Sequence, residues 1–231
     1  QHLGRAVGRE AAWDGRRVVV TAGPTREPLD PVRFLGNRSS GKMGFALAEA
    51  AWRRGAEVTL VTGPSALGSP TGVMTKRVET GEEMSNEVQA VLPGADVLIF
   101  AAAVSDFRPA DTNEKKLKRS REAEGFEIRL EPTADVALST VQGRKIGAVA
   151  LGFALETEDL LMNARRKMQE KGFDLIAANS ASEEGAGFDV DTNRITILDT
   201  EGGVEELPLL PKHEVAEKLL DRLSRFLQEG R

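Results

Sequence analysis

The sequence contains no cysteine and no tyrosine, and it has only two histidines among 231 residues. The absence of cysteine excludes disulfide bonds, a thiolate nucleophile and a cysteine-ligated metal, and it is typical of proteins in a reducing compartment. His2 lies near the terminus and His213 in a C-terminal helical pattern, and we interpret both as incidental surface residues. Any chemistry must therefore come from Lys, Arg, Asn or Asp, or from a bound metal.

The sequence also lacks an excess of positive charge and a long apolar run. Its formal net charge is −5 and its pI is about 5.3, which disfavours a protein that coats nucleic acid. No apolar run approaches membrane-spanning length, and no signal peptide is recognisable. These features predict a cytoplasmic protein without nucleic-acid or membrane partners, in which individually placed groups hold any anionic ligand.

Apolar runs of strand length alternate with amphipathic helical patterns along the chain. Strands rich in Val, Ile, Leu and Ala are typical of a parallel sheet that is buried on both faces. The pattern predicts an α/β fold with a Rossmann-like, doubly wound, mostly parallel sheet. The predicted strands are 16–23, 56–63, 95–104, 145–156 and 173–181, and the predicted helices are 41–55, 81–92 and 157–171.

The remaining segments predict an antiparallel hairpin, a last helix and a loop. Segments 193–200 and 202–209 form the predicted hairpin, which extends the sheet near the C-terminus, and a helix starts after Pro211. Segment 112–125 is highly charged and has no apolar stripe, so we predict a mobile loop there.

The domain organisation follows from the same patterns. Residues 1–15 are a predicted polar lead-in or linker, and residues 16–231 are a predicted single domain. Because the chain starts at Gln1 and not at Met, we expect it to be a piece of a longer polypeptide.

Residues Gly36 to Lys42 read G-x-x-x-x-G-K, which is the start of a phosphate-binding P-loop. A P-loop follows its strand directly and continues with a Ser or Thr that binds magnesium. Here Met43 takes that position, and a proline-rich segment separates Gly36 from the first predicted strand. A dinucleotide-binding G-x-G-x-x-G is also absent after that strand. Both patterns disfavour a standard nucleotide-binding loop.

The start of the predicted helix 41–55 still has features of an anion site. Ser39 and Ser40 can cap the helix, and its free N–H groups can face an anion. Arg33, Arg38 and Lys42 add positive charge nearby. An ordinary capped helix with solvated basic residues explains the segment equally well.

The segment TAGPTREPLDPVRFLGNRSSGKMGFALAEAAWRRGAEVTLVTGP (21–64) closely resembles the phosphopantothenoylcysteine synthetase family, and in particular the C-terminal half of bifunctional bacterial coenzyme A biosynthesis flavoproteins. Further matches follow in the same order: AAAVSDF (101–107), KLKR (116–119), PTADVA (132–137) and LGFALET (151–157), then Lys167 and Lys171. The resemblance covers nearly the whole chain after residue 15.

The resemblance implies that the protein ligates 4′-phosphopantothenate to L-cysteine with CTP. In that family the substrate carboxylate attacks the α-phosphate and pyrophosphate leaves. The amine of cysteine then attacks the acyl-cytidylate and releases CMP. Such chemistry requires mainly positioning and charge neutralisation, which suits the residue types present here.

The resemblance assigns catalytic roles to three residues. Asn37 handles the acyl-cytidylate, Arg33 grips the carboxylate or the intermediate, and Lys116 folds over the triphosphate with its loop. Without the resemblance, Asn37 would be interpreted as a turn residue, and the basic run around Lys116 as solvated surface. The family signature ends in Lys, whereas this chain has Arg119 there.

Nucleotide contacts are implied at a second group of positions, in which Ala134 departs from the usual proline of the family. Phe153 alone would be interpreted as a core aromatic, and two lysines four residues apart share one helix face with or without a ligand. These positions are Asp106, Lys116, Ala134, Asp135, Val136, Ala137, Phe153, Lys167 and Lys171.

Substrate contacts and partners complete what the resemblance implies. The substrate contacts are Ser39, Ser40, Gly41, Lys42, Ala102 and Ala103. The family depends on Mg²⁺ and forms homodimers, and its bifunctional members carry an N-terminal flavin-dependent decarboxylase domain. No residue cluster identifies the metal ligands. CTP is expected and not ATP, because the matching motifs are those of the bacterial members of the family.

Two other functions predict different features. A nicotinamide-dependent reductase on a Rossmann-type sheet would show a glycine-rich first turn and an acidic residue after the second strand, where Thr62, Gly63 and Pro64 stand instead. A non-catalytic nucleotide-binding module would bind CTP without releasing pyrophosphate.

Overall fold

A computed structural model describes residues 8–118, 126–180 and 190–228 of the protein. Residues 119–125 of the predicted mobile loop, including Arg119, lie outside the described residues. No helix in the described ranges is long and apolar enough to cross a membrane. The strands are β1 (Arg17–Ala22), β2 (Arg26–Pro28), β3 (Phe34–Gly36), β4 (Glu57–Thr62), β5 (Met74–Arg77), β6 (Val97–Phe100), β7 (Phe107–Pro109), β8 (Leu130–Pro132), β9 (Val149–Glu156), β10 (Leu175–Ser180), β11 (Thr192–Asn193), β12 (Thr196–Asp199), β13 (Val204–Glu206) and β14 (Leu210–Pro211).

Eight of these strands form the central sheet, in the order β13-β12-β10-β9-β6-β1-β4-β5. The six strands from β10 to β5 are parallel, and β12 and β13 extend the β10 edge in antiparallel fashion. When the six parallel strands are numbered along the chain, their order in the sheet from β5 to β10 is 3-2-1-4-5-6, which is the doubly wound pattern. The predicted Rossmann-like sheet and its C-terminal antiparallel hairpin are confirmed.

Within the described ranges, five α-helices cover the two faces of the sheet. Alternate residues of β1 enter different cores, since Val18 and Val20 pack with α1 and α5 whereas Val19 packs with α2, α3 and α4. Burial on both faces explains why the strands are almost continuously apolar. The helices are α1 (Lys42–Arg53), α2 (Gly81–Val91), α3 (Val136–Ser139), α4 (Leu160–Glu170) and α5 (Lys212–Gln228).

Three small antiparallel ribbons, β2–β3, β7–β8 and β11–β14, lie outside the main sheet and were not predicted. The proline-rich segment after β1 therefore forms a ribbon instead of a plain extended loop. Strands of two or three residues are too short to show a period in the sequence.

Phe153 lies inside β9, within the predicted strand 145–156. One further feature differs from the sequence-based expectation. Trp13 belongs to the segment interpreted as a polar lead-in, yet its side chain is fully buried and its Nε1 donates to Ser224 Oγ of α5 at 2.7 Å.

Candidate functional site

A cavity of about 540 Å³ opens at the carboxyl ends of β1, β6, β9 and β10. Open α/β sheets bind ligands at this edge, where the strand order reverses between β1 and β6. The cavity brings together nearly all of the predicted site residues: Asn37, Ser39, Ser40, Gly41, Lys42, Ala102, Ala103, Asp106, Ala134, Asp135, Val136, Ala137, Phe153, Lys167 and Lys171.

Arg33 and Lys116 do not line the cavity in this structure. The Arg33 guanidinium binds Asp30 and also donates to the Leu117 carbonyl at 2.6 Å. Lys116 is exposed beside that contact. The two residues predicted to act on the intermediate and on the triphosphate therefore lie at one contact between two loops, outside the cavity lining.

Asn37 follows β3 and reaches across to the segment after β6. Its Nδ2 donates to the Val104 carbonyl at 2.9 Å and more weakly to the Ala103 carbonyl at 3.4 Å. An amide NH₂ has two hydrogens, so one can hold the Val104 carbonyl while the other exchanges its weak contact with Ala103 for a ligand. The contact fixes Asn37 on the cavity wall.

The N-terminus of α1 forms a second wall, but its cap differs from the prediction. The N-cap is Gly41 in the left-handed region (φ 82°), and no side chain caps the helix. Ser39 Oγ accepts instead from the Gly41 N–H at 3.3 Å. A Cβ at Gly41 would lie 3.2 Å from the Gly23 backbone, so both the φ angle and this close approach favour glycine.

Lys167 and Lys171 of α4 form the cationic wall, but their surroundings differ. Lys171 Nζ makes a 2.7 Å ion pair with Asp135, whereas Lys167 makes no hydrogen bond or ion pair with any residue that the structure describes. Burial and then the neighbouring Lys171 lower the pKa of Lys167, opposed by Glu156, Asp135 and Asp106. A partly buried ammonium without a partner at a cavity is a good site for an anion.

Five buried polar residues of the cavity were missed by the sequence analysis: Thr21, Ser105, Asn179, Asn193 and Lys212. Lys212 Nζ donates to the Val190 carbonyl at 2.5 Å, and the cavity residue Lys42 pairs with Asp191 at 2.7 Å. Asn179 lies at the carboxyl end of β10, a position that the rule for parallel sheets favours. No local pattern predicted that Asn193 and Lys212 line the cavity, because their positions depend on how the C-terminal segment packs against the rest of the fold.

Asp30 connects the segment before β3 to the loop that contains Lys116 and Leu117. Its carboxylate has no exposed side-chain surface, and it accepts from the N–H groups of Val32, Arg33 and Leu117 and from the Arg33 guanidinium. Burial by itself raises the pKa of Asp30, but these hydrogen bonds hold the pKa well below its usual range. The carboxylate thus stays ionised in mild acid and holds Leu117, the neighbour of Lys116.

An Asp30→Asn variant is expected to loosen the loop around Lys116. The amide loses the charge and half of the acceptor capacity, so limited trypsin digestion should cut severalfold faster at Lys115, Lys116 and Lys118. The exposed Asp111, which pairs weakly with Arg129 at 3.9 Å, gives the control Asp111→Asn. Equal cleavage rates in both variants would contradict the proposed role of Asp30.

No group of three or more His, Cys, Asp or Glu side chains could hold a metal ion within residues 8–118, 126–180 and 190–228. In the cavity, the Asp106 carboxylate makes no hydrogen bond or ion pair with the described residues, whereas Asp135 is paired with Lys171. One free carboxylate fits Mg²⁺ that is bound mainly by phosphates and water.

Comparison with known proteins agrees with this arrangement. Residues 13–227 match the family model described as DNA/pantothenate metabolism flavoprotein C-terminal domain. The chain is 41% identical to the coenzyme A biosynthesis bifunctional protein CoaBC of Bacillus subtilis, a match that covers 95% of the chain and 53% of that protein. It is 43% identical to a protein named cysteine/cysteine sulfinic acid decarboxylase from an unknown prokaryote, a match that covers 93% of the chain and 59% of that protein.

A solved structure shows the same fold. The crystal structure of the C-terminal domain of a coenzyme A biosynthesis bifunctional protein CoaBC superimposes with a TM-score of 0.81 at 38% identity. The match covers 95% of this chain and all of that one. The chain thus spans slightly more than half of the two curated relatives but the whole of this isolated domain.

Proposed function

Because the chain belongs to the family of DNA/pantothenate metabolism flavoprotein C-terminal domains, we propose that it is a phosphopantothenate–cysteine ligase that uses CTP. In the first half-reaction the carboxylate of 4′-phosphopantothenate attacks the α-phosphate of CTP, and pyrophosphate leaves with the electrons of the broken P–O bond. In the second, the amine of L-cysteine attacks the acyl-cytidylate, loses a proton and releases CMP. The product is 4′-phosphopantothenoylcysteine.

The ammonium of Lys167 in the cavity, which has no partner within residues 8–118, 126–180 and 190–228, is the observation that carries the proposal. Both CTP and 4′-phosphopantothenate are anions, and the chain is acidic overall, so a local cation must attract them. The N-terminus of α1 stands on another wall of the same cavity, where a helix dipole favours phosphate. The cavity therefore offers two separate places for negative charge.

The predicted residues are proposed to have the roles that the family resemblance implies. Asn37 donates to the carbonyl oxygen of the acyl-cytidylate during amine attack, and Lys116 closes over the leaving pyrophosphate when its loop moves. Asp106 is the carboxylate available to Mg²⁺ bound by the nucleotide phosphates, and the ion neutralises phosphate charge when it is present.

The proposal is tested by measuring pyrophosphate release from CTP or from ATP in the presence of Mg²⁺. Each nucleotide is assayed without and with 4′-phosphopantothenate, and L-cysteine is then added. We expect a burst from CTP that requires 4′-phosphopantothenate and becomes steady turnover when L-cysteine is added. CTP binding without pyrophosphate release would favour a non-catalytic nucleotide-binding module. A higher kcat/KM with ATP than with CTP would contradict the choice of nucleotide.

The relatives extend well beyond this chain, which matches about half of their length. We propose that in the full-length protein the remainder is an N-terminal flavin-dependent decarboxylase that acts on the product of this domain. The chain itself has no cysteine for such chemistry.

We also propose that the protein works in the cytoplasm as a homodimer that forms through an apolar ribbon surface. This surface consists of exposed apolar side chains on and beside the β2–β3 and β7–β8 ribbons, which contact each other. Phe34 and Phe107 are about half exposed there. Clustered apolar groups of this kind mark an interaction surface. The other members are Leu35, Phe126, Ile128 and Leu130.

A Phe34→Asp variant is expected to be a monomer, because the substitution places a charge within the apolar ribbon surface. Sedimentation equilibrium measures the mass of each variant. The exposed Met74 on β5, at the far edge of the main sheet, gives the control Met74→Asp, which should remain dimeric. A dimeric Phe34→Asp protein, or a monomeric wild type, would contradict this interface.

A further inference from the structure

Arg144 lies behind the cavity and binds groups from two of its walls. Its Nε and Nη2 each donate to Thr140 Oγ1 at 3.1 Å, and Nη2 also donates to the Ala137 carbonyl at 3.2 Å. On the other side Nη2 donates to the Lys171 carbonyl at 2.9 Å, and Nη1 donates to the Gly172 carbonyl. One side chain therefore joins the end of α3 to the end of α4.

These two helix ends carry cavity residues. Ala137 and Lys171 line the cavity themselves, and the Asp135–Lys171 ion pair joins the same two segments on the cavity side. A guanidinium next to the carbonyls that end two helices is favoured by the helix dipole of each. Arg144 and the Asp135–Lys171 ion pair thus join the same two segments, the ion pair on the cavity side and Arg144 on the opposite side.

Arg144 also contacts the aromatic floor of the cavity. Its guanidinium carbon lies 5.6 Å from the ring centre of Phe100 and 5.9 Å from that of Phe173. The two rings are 5.6 Å apart, and both line the cavity. Phe173 occupies space over Gly152 of β9 that a Cβ would fill, since such a Cβ would come within 2.0 Å of the ring.

We propose that Arg144 is a positioning residue for the nucleotide, which holds the Ala134–Ala137 wall and the Lys167–Lys171 wall at the separation that the nucleotide requires. The inference rests on the proposed nucleotide site but assigns a residue that does not itself line the cavity. A planar fork with five donors can bind four separate acceptors at once, whereas an ammonium cannot. Arg144 therefore acts through the residues it holds and not through the ligand.

The test compares Arg144→Met with Arg222→Met by calorimetric titration with CTP and Mg²⁺, and with 4′-phosphopantothenate. Arg222 is also mostly buried and pairs with Asp199 at 2.8 Å, but it lies on α5 beside the β12–β13 edge and away from the cavity. Both variants remove a buried guanidinium, so both should lower the melting temperature.

We expect the Kd for CTP to rise about tenfold in Arg144→Met, because small misplacements of supporting residues weaken a site. The Kd for 4′-phosphopantothenate should stay nearly unchanged, and Arg222→Met should bind both ligands like the wild type. Arg144→Lys, which keeps the charge but not the fork, should recover only part of the CTP affinity.

Three outcomes would overturn the role of Arg144. The first is an unchanged CTP affinity in Arg144→Met. The second is an equal loss of CTP affinity in Arg222→Met, which would indicate a general loss of stability. The third is full recovery of CTP affinity in Arg144→Lys, which would indicate that only the charge matters. A wild type that binds no CTP would instead overturn the proposed function.

Discussion

An Asn37→Asp variant is expected to release pyrophosphate at nearly the wild-type rate but to form product about 10²- to 10³-fold more slowly, which is the usual loss when one oxyanion donor is removed. Asn37 stands at the cavity wall with its Nδ2 toward the Val104 carbonyl. Aspartate removes the donor and adds a negative charge where negative charge develops in amine attack. The acyl-cytidylate should therefore accumulate.

Rapid quenching with labelled CTP measures the accumulated acyl-cytidylate. Asn163 gives a matched control, because its amide also donates to a carbonyl, that of Glu158 at 3.0 Å, but does not line the cavity. Asn163→Asp should turn over normally. Lys116→Gln should instead slow pyrophosphate release, and failure of Asn37→Asp and Lys116→Gln at the same step would contradict the separate roles of these residues.

A Lys167→Met variant is expected to bind CTP roughly 10- to 150-fold more weakly, since a charge-assisted hydrogen bond contributes about 1.5–3 kcal/mol. The same substitution should raise the melting temperature. The lowered pKa of Lys167 shows that the folded protein disfavours its charge, owing to burial and to Lys171, and methionine fills similar space without charge. Function and stability therefore change in opposite directions.

Lys171→Met provides the contrast. Lys171 is one helical turn further along α4 and is paired with Asp135, so its loss should weaken CTP binding and lower the melting temperature as well. Titration calorimetry and thermal unfolding of both variants test the difference. A lower melting temperature in Lys167→Met would contradict the view of Lys167 as an unpaired charge held for a ligand.

The pH dependence of the stability difference follows from the same lowered pKa. Below this pKa Lys167 is charged in both the folded and the unfolded protein, so its full destabilising effect is present. As the pH rises through the lowered pKa toward the ordinary lysine value, the folded protein loses the proton first and wild-type stability rises relative to Lys167→Met. Melting temperatures measured across alkaline pH should therefore converge, and CTP affinity should fall in the same range.

Much of the fold was predictable because its signals are local. Near-continuous apolar strands and amphipathic helices indicated the doubly wound sheet, and the GGVEEL segment after β12 indicated the antiparallel extension. The site was predictable where its residues stand next to such elements. Asp106 follows β6, and Lys167 and Lys171 share one face of α4.

The sequence by itself determined the order of the helices and of the main-sheet strands, the acidic overall charge and, through the family resemblance of its motifs, the residues that line the cavity, since each depends on a short stretch of chain. Only the tertiary structure decided that Lys171 is paired while Lys167 has no partner among the described residues, that Asp30 binds Leu117, and that Arg144 joins α3 to α4. These contacts join residues far apart in the chain. The hydrogen bonds and pKa of a polar side chain depend on the neighbours that packing supplies, which no local pattern contains.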